Sequence, residues 1–102
     1  MTKSKAETFI GFAVRARKCK IGVNACKTLK RAKLVIVDGG AGESTKSDAK
    51  KLAERFHCPL LTGKKPLESV VFKDNAKVMA ITDGALASAI YDNRGEDFIE
   101  IV

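Results

Sequence analysis

The run Leu34-Val35-Ile36-Val37 is apolar at four consecutive positions and rich in β-branched side chains. Successive side chains of a strand point to opposite faces. A run with no polar position therefore predicts a strand covered on both sides. Val78-Met79-Ala80-Ile81 repeats the pattern later in the chain. Two such strands need apolar cover above and below, and a chain of 102 residues has little material to spare for anything else.

That cover is legible as helices. From Lys5 to Lys18, Ala6, Phe9, Ile10, Ala13 and Val14 recur at spacings of three and four, one apolar stripe with a cationic last turn. Asn24 to about Arg31 reads as a second helix with Ala25, Cys26 and Leu29 inward. Ala49, Leu52, Ala53 and Phe56 stripe a third, after a capping-box-like start at Thr45 and Asp48. Leu67, Val70 and Val71 line a fourth, with Pro66 suited to its first position. Asp83 is the expected N-cap of a fifth, carrying Leu86, Ala89 and Ile90 and stopped by Asn93-Arg94-Gly95. Pro59 to Thr62 is a short strand, Cys19 to Ile21 a short extended piece, and Phe98 to Val102 a candidate terminal strand. The expectation is an α/β protein, a three-layer α/β/α sandwich around a mixed, mostly buried four-stranded sheet, in one domain over residues 1–102.

Charge narrows the function. The net charge is +7. Residues 1–37 carry ten basic residues and one acid, Glu7, while residues 38–102 carry nine basic and eleven acidic ones. One end of the chain holds all the excess, the footprint of a protein that sits on nucleic acid. A solvating surface normally mixes its signs. No apolar run approaches the length of a membrane span, and the basic N-terminus leads into an amphipathic segment rather than a signal peptide. A cytoplasmic location with no membrane partner is expected.

Catalytic and metal chemistry find little support. Cys19, Cys26 and Cys58 form no C-x-x-C pair, and His57 is the single histidine. Neither a metal cluster nor a cofactor is expected. His57 and Cys58 are adjacent, so within a strand they would face apart and not form a nucleophile pair. Gly39-Gly40-Ala41-Gly42-Glu43 follows a strand and precedes a helix, which invites a nucleotide reading. Thr45 stands where a dinucleotide fingerprint needs its third Gly, and Asp38 and Glu43 would repel a pyrophosphate. A binder of a small phosphorylated ligand or an enzyme using the Gly39–Glu43 loop, or a protein–protein adaptor on the same fold, remains the alternative.

Lys18-Cys19-Lys20-Ile21-Gly22-Val23-Asn24-Ala25-Cys26-Lys27 is the stretch best suited to function. The cations Arg15, Arg17, Lys18 and Lys20 precede a turn at Gly22, and Lys27 follows one helical turn later. A helix start offers free N–H groups to a phosphate, and Asn24 places an amide where a base edge can meet it. The same residues are also ordinary helix starters.

Gly11-Phe12-Ala13-Val14-Arg15-Ala16-Arg17-Lys18, then Gly22, Asn24 and Lys27, then Ala32-Lys33-Leu34-Val35-Ile36-Val37 and Ala49-Lys50-Lys51-Leu52 share their order and spacing with one family. So do Cys58-Pro59-Leu60, Lys64-x-x-Leu67 and Val78-Met79-Ala80-Ile81-Thr82-Asp83. Over about Phe9 to Ile90 the chain resembles the ribosomal L-seven-Ae/L-thirty-e superfamily, especially its small bacterial members. The resemblance implies the α/β/α sandwich and binding to kink-turn RNA. It implies that Gly22 and Asn24 meet the sheared G·A pairs, that Lys27 meets the backbone, and that Thr62, Gly63 and Lys64 close over an extruded base. Lys65, Lys30 and Arg31 complete the expected set of contacts. The chain departs from the family pattern with Ala25 after the Asn, with Lys27 one residue closer to Gly22, and with Glu68 in place of a glycine. The expectation is a non-enzymatic RNA-binding protein of ribosomal or ribosome-associated type, monomeric when free.

Overall fold

The structure is a computed structural model that describes residues 4–64, 66–71, 76–95 and 97–101. In chain order the elements are α1 (Lys5–Arg15), β1 (Cys19–Ile21), α2 (Val23–Lys27), β2 (Leu34–Asp38), α3 (Glu43–Phe56), β3 (Leu60–Gly63), α4 (Leu67–Val71), β4 (Val78–Ile81), α5 (Gly84–Asp92) and β5 (Phe98–Ile101). The fold is mixed α/β. Its sheet runs β1-β4-β2-β3-β5, with β2 and β3 parallel and the other neighbours antiparallel.

The expected sheet of four strands is corrected to five among the described residues. The expected extended piece at Cys19–Ile21 and the candidate terminal strand from Phe98 are its two outer strands, and both are weak in pattern. β1 has three residues, too few to display alternation, and its Lys20 is exposed. β5 buries Phe98 but exposes Ile99 and Glu100, so its apolar residues do not keep to one face. Val102 lies outside the described residues.

Every residue of β2 and of β4 is buried. Period-two geometry divides them between two hydrophobic clusters. Leu34, Ile36, Leu61, Met79 and Ile81 pack with Ala6, Ile10 and Ala13 of α1, Leu67, Val70 and Val71 of α4, and Ala87 and Ile90 of α5. Val35, Val37, Leu60, Val78 and Ala80 pack with Cys26 of α2 and Ala49, Leu52 and Ala53 of α3. The unbroken apolar runs are thus strands with cover on two faces.

Helix ends depart from the sequence reading where side chains or backbone handedness intervene. α1 stops at Arg15 rather than Lys18, because Arg17 adopts a left-handed φ of 57°. Lys18 N–H then donates to the Ala13 carbonyl at 2.9 Å and Arg17 N–H to Val14 at 3.2 Å, the paired bonds of a Schellman motif. α2 stops at Lys27 rather than Arg31. The Thr28 hydroxyl donates to Ala25 at 2.6 Å, and the Arg55 guanidinium holds the carbonyls of Lys27 and Leu29 at 3.1 and 2.6 Å. Leu29 still packs on the second cluster, but from beyond the helix. α3 begins at Glu43 behind Gly42, so Thr45 and Asp48 lie inside it and form no capping box. Pro66 precedes α4, accepting bonds from Ser69 N–H and hydroxyl. Asp83 caps α5 as expected, accepting from Leu86 N–H at 2.9 Å. Among the described residues no helix is long and apolar enough to cross a membrane.

Five residues cannot sustain a helix unaided, so α2 depends on Cys26 burial and the Arg55 tether. Arg55→Ala should therefore cost about 0.5–1.5 kcal/mol in urea denaturation and speed hydrogen exchange selectively in residues 23–29. Unchanged exchange there would show that Arg55 does not hold α2.

Candidate nucleic-acid interface

Strand direction decides which loops meet. β1 and β2 are both antiparallel to β4, and β3 is parallel to β2, so β1, β2 and β3 point the same way. Their carboxyl ends share one end of the sheet with the amino ends of β4 and β5. Three backbone bonds stitch this end together. Gly22 N–H donates to Val78 at 2.7 Å, Asp38 N–H to Lys77 at 2.7 Å, and Lys64 N–H to Asp97 at 2.9 Å. The segment from Gly22 and the segment from Thr62 therefore lie at one end, three strand spacings or roughly 14 Å apart.

Gly22 is the N-cap of α2 with φ of 99°, a conformation that favours glycine. A Cβ built there would meet nothing within 4 Å, so the surface above it is open. Asn24 is the second residue of α2 and exposed, and Lys27 is exposed in its last turn. Asn24 lies in the first turn of the helix but does not cap it.

Thr62 and Gly63 belong to β3, paired to Val37 and Asp38 on one side and Ile99 and Phe98 on the other. Gly63 is buried, and Lys64 beyond it is exposed. Lys65 lies outside the described residues. The remaining predicted contacts are not brought to this end. Arg15, Arg17 and Lys18 lead into β1, and Lys30 and Arg31 lead into β2, at the opposite end of the sheet. Lys20 is exposed in the middle of β1, between the two groups.

An ion cluster that sequence reading missed separates the Gly22 and Thr62 segments. Lys77 Nζ lies 3.1 Å from Asp38 Oδ2 and 3.4 Å from Glu68 Oε1. Hydrogen bonds that Lys77 donates to Asp38, then to Glu68, push its ammonium pKa above the ordinary value. Asp38 is buried, and its Oδ1 accepts from Gly40 N–H at 3.1 Å while its carbonyl accepts from Ala41 N–H at 3.1 Å. Asp38 and Lys77 are 39 positions apart, and no local spacing announces such a pair. The charge that Glu68 adds here faces a lysine rather than standing alone.

These bonds also account for the glycine-rich loop. Two of its N–H groups are spent on Asp38, and Glu43 opens the helix behind it. Gly39 is there for close approach, since a Cβ on it would lie 2.5 Å from the Gly63 carbonyl oxygen.

His57 closes α3 in a left-handed conformation, φ 53°. Burial pushes the Cys58 thiol up to about 11, and Cys26 likewise, so both are protonated at neutral pH and poorly nucleophilic. Among the described residues no group of three His, Cys, Asp or Glu side chains could hold a metal ion.

No family model and no curated protein matches the sequence. Among solved structures the chain is similar to one described as a protein with unknown function from Bacillus halodurans C, with a TM-score of 0.76 and 22% identity. The match covers 92% of this chain and 100% of that one. At that identity the likeness shows the fold alone.

The close approach of Gly39 to Gly63 makes two glycines of one loop unequal. Gly39→Ala should destabilise the fold by about 1–3 kcal/mol through overpacking. Gly42→Ala, with open space and φ of −67°, should stay within about 0.5 kcal/mol. Thermal melts decide it, at about 4–8 °C per kcal/mol for a domain of this size. Equal melting temperatures for the two variants would refute the contact.

Proposed function

We propose that the protein is a non-enzymatic RNA-binding protein, ribosomal or ribosome-associated, built as a three-layer α/β/α sandwich. Its partner is structured RNA of kink-turn type, bound by a monomer in the cytoplasm without a cofactor. One observation carries this reading. Gly22 to Lys27 and Thr62 to Lys64, far apart in sequence, share one end of the sheet.

Each residue there has a physical task in the reading. The Asn24 carboxamide both donates and accepts, as a purine edge requires. Gly22 has no side chain to hold a nucleic acid off, and its surroundings are open. Lys27 and Lys64 are exposed cations suited to phosphates, which contribute affinity without sequence information. The excess charge of residues 1–37 supports a polyanionic partner. A small phosphorylated ligand at the Gly39–Glu43 loop is less well supported, because Asp38 engages the Gly40 and Ala41 amides. Among the described residues the large apolar side chains left exposed are Phe12 and Ile99, which gives an adaptor role little to draw on, since scattered exposed apolar residues are ordinary.

Two variants test the reading by the ratio of affinities for a kink-turn RNA and a plain duplex of equal length. Asn24→Ala should lower the kink-turn affinity about ten- to hundred-fold and collapse the ratio. Lys27→Ala should weaken both RNAs alike and preserve it. Gly22, not Asn24, caps α2, so Asn24→Ala should melt within about 0.5 kcal/mol of the parent. An unchanged ratio in Asn24→Ala would overturn the assignment. Affinity should also fall steeply with salt, because phosphate contacts release counterions.

A further inference from the structure

The cations that topology separates from Asn24 form a surface of their own. Arg17 and Lys18 precede β1, and Lys30, Arg31 and Lys33 precede β2. β4 lies between those strands and ends beside both. Thr82 N–H and hydroxyl donate to the Lys18 carbonyl at 2.8 and 2.9 Å, and Lys33 N–H donates to Ile81 at 2.7 Å. Lys18 and Lys33 thus flank one strand, about 10 Å apart. All five side chains are exposed, and among the described residues none makes an ion pair. Asp83, next to them, is engaged in capping α5.

Two further observations single this end out. Arg17 occupies the left-handed position that closes a Schellman motif, where glycine is the usual residue. A cation is held there at a cost in backbone strain. In addition, an open groove runs along β1, lined by Val14, Arg17, Cys19, Lys20, Ile21 and Ala25. It leads from Arg17 past Lys20 to α2, joining this end of the sheet to the Asn24 end.

We propose that Arg17, Lys18, Lys30, Arg31 and Lys33 form a second RNA contact, which holds the phosphate backbone of a duplex stem running along the β1 edge from the kink-binding end. The contact reads charge and shape, not sequence. It rests on the RNA-binding reading above and extends it, since these residues lie at the opposite end of the sheet from the kink site and cannot be part of it. An RNA that spans both ends lies against cations along the whole edge, with Lys20 between.

The test uses the full chain and a kink-turn RNA in two forms, with flanking stems cut short and with both stems extended by about one helical turn. The wild-type protein should bind the extended RNA about tenfold tighter, with a salt dependence steeper by about two counterions. In Lys18→Ala/Lys33→Ala the two RNAs should bind alike. Arg17→Gly should raise the melting temperature by relieving strain while reducing the advantage of the extended RNA, a combination that a structural role would not give. A lower melting temperature for Arg17→Gly would count against the proposal. So would a double variant that keeps the full advantage. If the wild-type protein prefers kink-turn to plain duplex but binds both stem lengths equally, the second contact is wrong and the patch is left to an acidic protein surface, while the kink reading stands. If it shows no preference for the kink-turn at all, the kink reading fails and this contact falls with it.

Discussion

Burial of β2 and β4 on both faces is the constraint from which the rest of the structure follows. Strands with no polar position require helices on either side, and the two clusters divide α1, α4 and α5 from α2 and α3. The demand ends abruptly at Asp38. A carboxylate buried at the end of β2 is costly unless it is paired and hydrogen-bonded. Asp38 has Lys77 on one oxygen and Gly40 N–H on the other. The same interactions that neutralise it turn the chain out of the sheet, fix the glycine-rich loop against Gly63 and anchor the start of β4. The end of the sheet is therefore organised by one buried charge, and the segments on either side take their positions from it.

Direction matters as much as burial. Because β1, β2 and β3 run the same way, their outgoing loops share one end. In open α/β sheets the carboxyl ends of strands are where ligands are usually met. Here that end carries Gly22, Asn24 and Lys64. The incoming segments of β1 and β2 carry Arg17, Lys18, Lys30, Arg31 and Lys33 to the other end. An excess of charge that is continuous in sequence is thus divided in space, and the β1 edge with Lys20 is the path between its parts.

How far the sequence foretold this depends on the kind of signal. β2 and β4 were legible because an apolar run has one structural meaning at that length. α1, α3 and α5 were legible as stripes, and Asp83 as a cap. β1 and β5 were legible as an extended piece and a candidate terminal strand, but not their places at the sheet's two edges, because strands of three and four residues mix exposed and buried positions. The end of α2 was not, because Arg55, from another helix, withdraws its carbonyls. The pairing of Asp38 with Lys77 and Glu68 joins segments with no common spacing. The Gly22–Asn24 element was legible as a helix start, and Thr62 to Lys64 only through a family resemblance. That these two segments share one end of the sheet follows from strand direction, which no residue pattern encodes.

The short second helix carries a consequence for recognition. A segment that presents Asn24 and Lys27 from five residues owes its conformation to its neighbours. Cys26 inserts into the second cluster with its thiol donating to the Lys20 carbonyl at 3.5 Å, and Arg55 ties down the far end. Gly22 fixes the near end through its bond to Val78. Asn24 and Lys27, held on such a frame, are set by the sheet and by α3 rather than by local helix propensity. Changes in α3 should therefore move Asn24 more than changes on the exposed face of α2. The side chains that fix the Asn24 amide in place need not lie beside it, and Arg55 is the clearest of them.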